Sequence, residues 1–433
     1  MTPSARMQTV IDILERLENS RIPMDSTIGD FMRFRKYIGA KDRAWIVETV
    51  YGIVRHKARI AYILEKAGAE DAPRNKALVY LAVFRETKND SLDEFFTGGK
   101  YGAPELTDEE RALPAKPAPE FPAAVDVECP PEHEERLKKL FGSYFKAEMH
   151  EFIEGATLDL RTNCLKSDRA KLKSFLESDK IKTDETPYSP WGLRVQGKAF
   201  LSTSKAFVKG FFDIQDEGSQ LIAIACDAKP GMQVLDYCAG AGGKTLALAG
   251  GMKNKGRIVA MDLEPARLEK ARPRFKRASV SDIIEVRPLS DDKQRKWLKR
   301  QKETFDVVLA DVPCSGSGTW RRNPDMRWRT YGPTLEELTI IQADILDRTA
   351  HAVKVGGRLV YATCSLFEEE NEKQVHAFLA RRPEFKLLPL AEAWPADLQC
   401  PCKGDFMRLT PRQHNTDGFF AAVLTKSVAT ENN

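Results

Sequence analysis

Five short apolar segments, QVLDY at 233–237, RIVAMD at 257–262, IIEVRPL at 283–289, FDVVLAD at 305–311 and RLVYAT at 358–363, alternate with segments long enough for helices. Few folds accommodate that rhythm. The runs lack the strict polar alternation of a half-exposed strand, so each is expected to be covered on both faces, as in a parallel sheet between two layers of helices. Such a doubly wound α/β sheet holds its ligands beyond the carboxyl ends of its strands. The residues directly after these segments are where chemistry is expected.

The first half of the chain reads differently. Residues 1–88 repeat apolar side chains three and four apart, in MQTVIDILERL and again in RAWIVETVYGIVRHKARIAYILEKAG. That is the spacing of amphipathic helices and predicts a small all-α bundle. Ile46, Val50, Ile53 and Val54 form one buried stripe, which leaves Arg43, Arg55, Lys57 and Arg59 to solvent or a phosphate backbone. From 89 to 130 the periodicity fades and ALPAKPAPEFPAAVDVECPP inserts prolines that forbid a continuous helix, so a linker or irregular wrap is expected. A small α+β connector follows over 131–210, with helices at EERLKKLFGSYFKAEMHEFIEG and DRAKLKSFLES and strands at TLDLRTN and 191–195. The last domain, 211–428, opens with the helix QDEGSQLIAIA, carries the five alternating strands and ends in GDFMRLTP and GFFAAVLT. These two are expected to pair as an antiparallel hairpin closing one sheet edge.

Composition narrows the setting. A hydrophobic fraction of 42% with 30% charged residues is globular, and no apolar run is long enough to span a bilayer. The opening MTPSARMQTVIDILERLENS lacks a signal peptide's apolar block. A cytoplasmic protein, monomeric and without membrane contact, is expected. Eight cysteines without paired spacing argue against a disulfide framework, and CPC at Cys400 and Cys402 has no second ligand pair for a metal. A net charge of +4 decides nothing, but 267–277, 293–302 and 321–329 concentrate cations. In the last of these, Arg321 and Arg322 are the candidates for nucleic-acid phosphates, whereas the first two clusters read more simply as solvated helix faces.

The stretch 233–249, QVLDYCAGAGGKTLALA, is strand, glycine loop and helix, and it admits three readings. A triphosphate-binding loop, GxxxxGK[ST], needs its first glycine where Cys238 stands, and a dinucleotide fingerprint, GxGxxG, lacks its third glycine. What remains is the looser loop of S-adenosylmethionine-dependent methyltransferases. Asp262 ends the next strand, where an acid about 20 residues on accepts from ribose hydroxyls.

Cysteines follow two neighbouring segments. Cys314 comes three residues after Asp311, past Pro313, and Cys364 directly follows RLVYAT. If the two segments are adjacent parallel strands, about 4.8 Å apart, both thiols overhang one edge beside the glycine loop. Cytosine chemistry gives a reason for them. C5 of the ring is a poor nucleophile until a thiolate adds at C6, which breaks the aromaticity and makes C5 enamine-like toward a sulfonium methyl. A base must then remove the C5 proton before the thiolate can leave, and Asp311 is suited to the N3/N4 edge of the base, whose charge changes on addition. Two core cysteines are the plain alternative. No further ligand at suitable spacing favours a metal.

DYCAGAGGKT, DVPCSGSGTWRRNPD, YATCSLFEEEN, DGFF and QDEGSQ together resemble the Sun/Nop family of RNA cytosine-C5 methyltransferases, most of all its bacterial ribosomal branch. KDRAWIVETVYGIVR resembles the NusB-like helical RNA-binding domain of that branch, so the likeness covers most of the chain and is weakest from 88 to 130. The resemblance implies a Rossmann-like class I methyltransferase sheet behind a NusB-like bundle and a small connector. It also implies Cys364 as nucleophile, Cys314 as the thiol that helps release, and catalytic roles for Asp311 and Lys244 toward the base. Cys238, Ala239, Gly240, Ala241, Gly242, Gly243 and Lys244 would contact S-adenosylmethionine, with Asp262 on its ribose, Asp291 or its neighbour Asp292 near its adenine and Asp311 beside it. Two departures stand out: Gly240 and Ala241 replace the family's Ala-Pro, and Glu368 replaces a proline after the second cysteine.

The expected function is therefore 5-methylcytidine formation in RNA, with small-subunit ribosomal RNA as substrate. Transfer RNA is the alternative substrate. DNA cytosine methylation would use Cys314 as nucleophile and leaves Cys364 unexplained; a ribosome-assembly factor without turnover would need neither thiol.

Overall fold

The computed structural model describes residues 1–85, 92–113, 120–197, 199–329 and 331–427, so 114–119 of the proline-rich stretch lie outside the described residues. Two compact units emerge, one of Met1–Gly155 with Thr319–Gly332, the other of Ala156–Gly318 with Pro333–Asn433.

The first unit is helical. Its helices Pro3–Glu18, Met24–Arg33, Ala40–Arg55, Lys57–Ala67 and Pro73–Val79 close on a core that includes Met7, Val10, Ile46, Val50, Ile53 and Leu64. Each such side chain contributes about 1.5–3 kcal/mol by leaving water. The expected stripe is present, with Val54 at its half-buried margin. The cations predicted to face outward are mostly occupied, however. Arg55 donates to the carbonyls of Ile153, Glu154 and Arg321, Arg59 pairs with the fully buried Glu128 at 3.1 Å, and the Lys57 ammonium sits 5.6 Å from the Trp328 ring. The partners come from segments remote in sequence, which helical periodicity cannot reveal. The same holds for 319–332. Asp325 accepts from the Met24 N–H at the start of a helix, and the buried Arg327 donates to the carbonyls of Glu128 and Phe152.

The second unit contains two sheets. Strands β1 (Asp159–Thr162), β2 (Thr183–Glu185), β3 (Gly192–Val195) and β4 (Phe212–Ile214) form an antiparallel sheet in the order β2-β3-β1-β4. Strands β5 (Gln233–Asp236), β6 (Arg257–Asp262), β7 (Ile284–Pro288), β8 (Phe305–Asp311) and β9 (Val353–Thr363) are the five read from the sequence. With β10 (Phe385–Leu388), β11 (Met407–Leu409) and β12 (Phe419–Lys426) they make the large sheet, ordered β10-β12-β9-β8-β5-β6-β7. β5 through β9 pair in parallel. Alternate residues face opposite layers: Val307, Leu309 and Val360 pack with the helices Glu217–Ala225 and Gly243–Gly251, while Val308, Ala310 and Tyr361 pack with Ile345, Leu346 and Phe378 on the other side.

The expected hairpin is present: β11 pairs antiparallel with β12, whose other side pairs with β9, and the outer side of β12 also carries a strand the sequence did not announce, β10. Its segment, FKLL, is too short and too polar around to register as a strand.

The strand order also places the site. Moving outward from β5, one branch runs through β6 and β7 and the other through β8 and β9, so the topology reverses between β5 and β8. The crevice beyond their carboxyl ends is the place where such sheets bind ligands.

Candidate active site

β5 ends at the buried Asp236, and the chain turns through Cys238, Ala239, Gly240 and Ala241 into the helix Gly243–Gly251. Gly242 at its start has φ +78°, and a Cβ there would lie 2.5 Å from the Phe275 ring, so the turn requires glycine on both counts. Asp262, at the end of β6, ties the loop down. One carboxylate oxygen accepts the Gly240 N–H at 2.8 Å and the other accepts that of Glu264 at 2.9 Å. Both oxygens retain acceptor capacity. Asp236 accepts the Thr245 hydroxyl at 2.7 Å, while its second oxygen is buried without a hydrogen-bond partner. Burial, with Asp311 and Asp262 adding to it against Thr245 and Lys244, pushes the Asp236 carboxyl up to about 7.

Across the switch point, Lys244 Nζ lies 2.8 Å from Asp311 Oδ2. Burial opposes the charge on Lys244, but Asp311 outweighs it and holds the ammonium above its ordinary range; Cys364 also acts electrostatically on it. The Phe419 ring lies 5.8 Å from this ammonium, which brings the DGFF segment to the site.

β8 and β9 are parallel neighbours, with Asp311 paired to Ala362, so the two cysteine loops leave the same sheet edge. The Cys314 and Cys364 sulfurs are 3.4 Å apart. Their loops are joined by Gly318 N–H to the Cys364 carbonyl at 2.9 Å and by Leu366 N–H to Ser317 Oγ at 2.8 Å. Gly318 in turn touches Gly418, where a Cβ would fall 2.1 Å from the Gly418 carbonyl oxygen. The Cys314 thiol is held well above its usual range, first by its hydrogen bond with Cys364, then by burial and by the charges of Cys364 and Glu370.

This geometry has relatives. A family model described as 16S rRNA methyltransferase RsmB/F matches residues 223–425. Over that stretch the chain is similar to the RsmB/F methyltransferases. A probable ribosomal RNA small subunit methyltransferase B of Synechocystis sp. is 29% identical over 414 residues, which are 89% of this chain and 92% of that protein. The probable enzyme of that name from Bacillus subtilis is 33% identical, over 62% of this chain and 59% of its own length. That of Shewanella oneidensis is 32% identical, over 67% and 65% respectively. Among solved structures, PH0851 is 28% identical with a TM-score of 0.78, covering 98% of this chain and 99% of that one. A methyltransferase homologue from Pyrococcus horikoshii is also 28% identical, with a TM-score of 0.59 over 71% of this chain and 98% of its own.

The structure brings together most of the residues singled out from sequence. The glycine loop, Asp262, Lys244, Asp311, Cys314 and Cys364 all lie at or just past the carboxyl ends of β5, β6, β8 and β9. Asp291 stands apart as the exposed N-cap of the helix Asp292–Lys299, accepting from Lys293 N–H at 2.8 Å. Arg321 and Arg322 belong to the helical unit. Arg321 is 3% exposed, which leaves it no open face for a phosphate; Arg322 is half-buried. Sequence reasoning missed Glu370. The carboxylate is fully buried and takes hydrogen bonds from both cysteine loops, yet in EEEN it reads as one acid of a solvated run. Asp236 was missed as well, because a strand-terminal acid carries no signal of its burial.

Proposed function

We propose that this chain forms 5-methylcytidine in small-subunit ribosomal RNA, with Cys364 as the covalent nucleophile. The observation that carries the reading is the thiol pair, two sulfurs 3.4 Å apart at the ends of adjacent parallel strands beside a Lys–Asp pair. The site fits S-adenosylmethionine: the backbone from Cys238 to Lys244 offers a glycine cradle at a helix start, Asp262 has acceptor capacity for ribose hydroxyls, and Asp236 keeps an orphaned oxygen in the same place. Asp291 is assigned to the adenine side. When bound, this cofactor supplies an electrophilic methyl group.

The chain's own groups do the rest. A thiolate on Cys364 adds to C6, and the pair of electrons displaced from the C5–C6 bond makes C5 nucleophilic. Asp311, held by Lys244, meets the N3/N4 edge where charge accumulates. After methylation a water molecule takes the C5 proton, the electron pair of that C–H bond reforms the C5–C6 double bond, and Cys364 is expelled as a thiolate. Cys314, in contact with that sulfur, assists the release. A thiolate forming on Cys364 meets the Lys244 ammonium, whereas one forming on Cys314 meets Glu370, which supports this division of roles.

RNA as the substrate draws support from the helical unit. Residues 33–43, RFRKYIGAKDR, carry five cations and one acid. Phe34 and Tyr37 stand 80% and 71% exposed among them, an arrangement suited to stacking on bases between phosphate contacts. Incubation with labelled S-adenosylmethionine and unmethylated small-subunit RNA tests the proposal. Label should appear as 5-methylcytidine at one position and vanish with Cys364→Ala; label on transfer RNA alone would redirect the substrate.

A further inference from the structure

Beyond the residues that meet substrate, one buried group organises both thiols. The Glu370 side chain has no exposed surface and accepts four hydrogen bonds. Ser315 N–H donates to Oε1 at 2.8 Å and Ser315 Oγ to Oε2 at 2.6 Å, Gln342 Nε2 donates at 2.9 Å, and the Ser365 hydroxyl donates to Oε2. Ser315 directly follows Cys314, and Ser365 directly follows Cys364. The same Gln342 nitrogen donates to the carbonyl of Pro313 at 3.0 Å, so it grips the residue just before Cys314.

The donors around Glu370 are all neutral, and no Lys or Arg among the described residues pairs with it. Burying an uncompensated carboxylate is costly. A carboxylate can accept from all four donors at once, and because two of them are serine hydroxyls that can also accept, a Gln amide would fit the same place without the charge. Its neighbour Asn371 closes the second loop independently, with Nδ2 on the Ser365 carbonyl at 2.9 Å and Oδ1 accepting the Thr363 hydroxyl at 2.6 Å. Glu370 thus adds to the Gly318–Cys364 and Leu366–Ser317 bonds a single side chain that grips both loops beside the sulfurs.

We propose that Glu370 is a positioning residue whose one buried carboxylate fixes the register between the Cys314 and Cys364 loops and keeps a negative charge beside the Cys314 sulfur. The inference rests on the roles proposed above for the two thiols. The groups facing Cys314 are Cys364, Glu370 and the Tyr361 phenol, which donates to the Glu370 carbonyl at 2.5 Å; Lys244 and Asp311 lie toward Cys364. With no cation among its own neighbours, Cys314 stays a thiol, does not compete for C6 and remains able to exchange a proton near the adduct.

Two variants of the full-length protein separate the charge from the reach. Glu370→Gln keeps the size and removes the charge; Glu370→Asp keeps the charge and shortens the arm. Alkylation of Cys314 by iodoacetamide is followed by peptide mass spectrometry from about pH 6 to 10, a window that spans ordinary thiol ionisation. Glu370→Gln should alkylate at Cys314 roughly tenfold faster at a fixed pH, its profile shifted down by about one unit. Glu370→Asp should alkylate like wild type but lose about tenfold or more in kcat, with KM for RNA and cofactor affinity unchanged. Equal alkylation in Glu370→Gln and wild type overturns the charge assignment, and undiminished turnover in Glu370→Asp overturns the positioning. If Glu370→Gln does not fold, the alkylation profile and turnover of Glu370→Asp decide together: a wild-type profile with impaired kcat upholds the proposal, and any other pair refutes it. The alkylation needs no RNA, so a wild type that methylates no RNA removes the proposed function without touching this result.

Discussion

Cys314 and Cys364 touch through their sulfurs at 3.4 Å without being equivalent, since Lys244 acts on one and Glu370 on the other. That asymmetry predicts different failures. Cys364→Ala should abolish methylation and any covalent complex, even with 5-fluorocytidine RNA as a trap. Cys314→Ala should still add and methylate but release poorly, so a protein–RNA species accumulates on natural RNA and survives denaturing electrophoresis. The opposite pattern on gels would reverse the two roles.

Asp262 is assigned to the cofactor's ribose. Asp262→Ala should weaken S-adenosylmethionine binding by ~1–3 kcal/mol, the range for a lost hydrogen bond to a charged group. The same change frees the Gly240 N–H, so Asp262→Asn, which can still accept from that N–H, is the cleaner variant. Calorimetry showing wild-type affinity in both would remove the assignment.

Asp236 should make stability depend on pH in an unusual direction. Its carboxyl is raised from 3.8 to about 7, so between these values the folded state holds the proton that the unfolded state has lost. Stability from this group is therefore full below about pH 4 and declines as pH rises toward 7, by at most on the order of 4 kcal/mol. Asp236→Asn, whose carbonyl oxygen can still accept the Thr245 hydroxyl, should flatten that decline in urea melts at a series of pH values. An unchanged slope would mean that Asp236 is not the titrating group.

The RNA-facing cations should be those of residues 33–43 and not Arg321. Lys36→Ala with Lys41→Ala should reduce the slope of log affinity against log salt by about 1.4–1.8, two phosphate contacts' worth. Phe34→Ala should weaken binding by about 1–3 kcal/mol with the slope kept. Arg321→Ala, by contrast, should lower the melting temperature and leave the slope alone. Filter binding at several salt concentrations distinguishes these outcomes, and a slope insensitive to the lysine pair would move the interface elsewhere.

The central sheet was legible because FDVVLAD and RLVYAT are buried on both faces and leave an uninterrupted apolar trace. β10 and β2 were not, since short edge strands owe their place to partners such as β12 and β3 and carry little pattern of their own. The thiols were legible through their spacing from strand ends. Glu370 was not, for its meaning lies in donors that come from residues 315, 342 and 365, and linear reading cannot see two loops and a helix meeting. The charge of Arg321 and Arg55 misled for the converse reason: a guanidinium looks like surface until a carbonyl from elsewhere in the chain accepts from it or its own side chain is covered.

The return of Thr319–Gly332 to the helical unit has a consequence for the order of synthesis. Trp320 and Arg327 are core residues of a unit whose other members lie within the first 155 residues, and the start of the helix Met24–Arg33 donates a hydrogen bond to Asp325. A ribosome that has just finished that amino-terminal stretch has not yet made the piece that completes it. The bundle must wait, incompletely packed, while most of the second unit is translated, and no single cut in the gene yields both units whole.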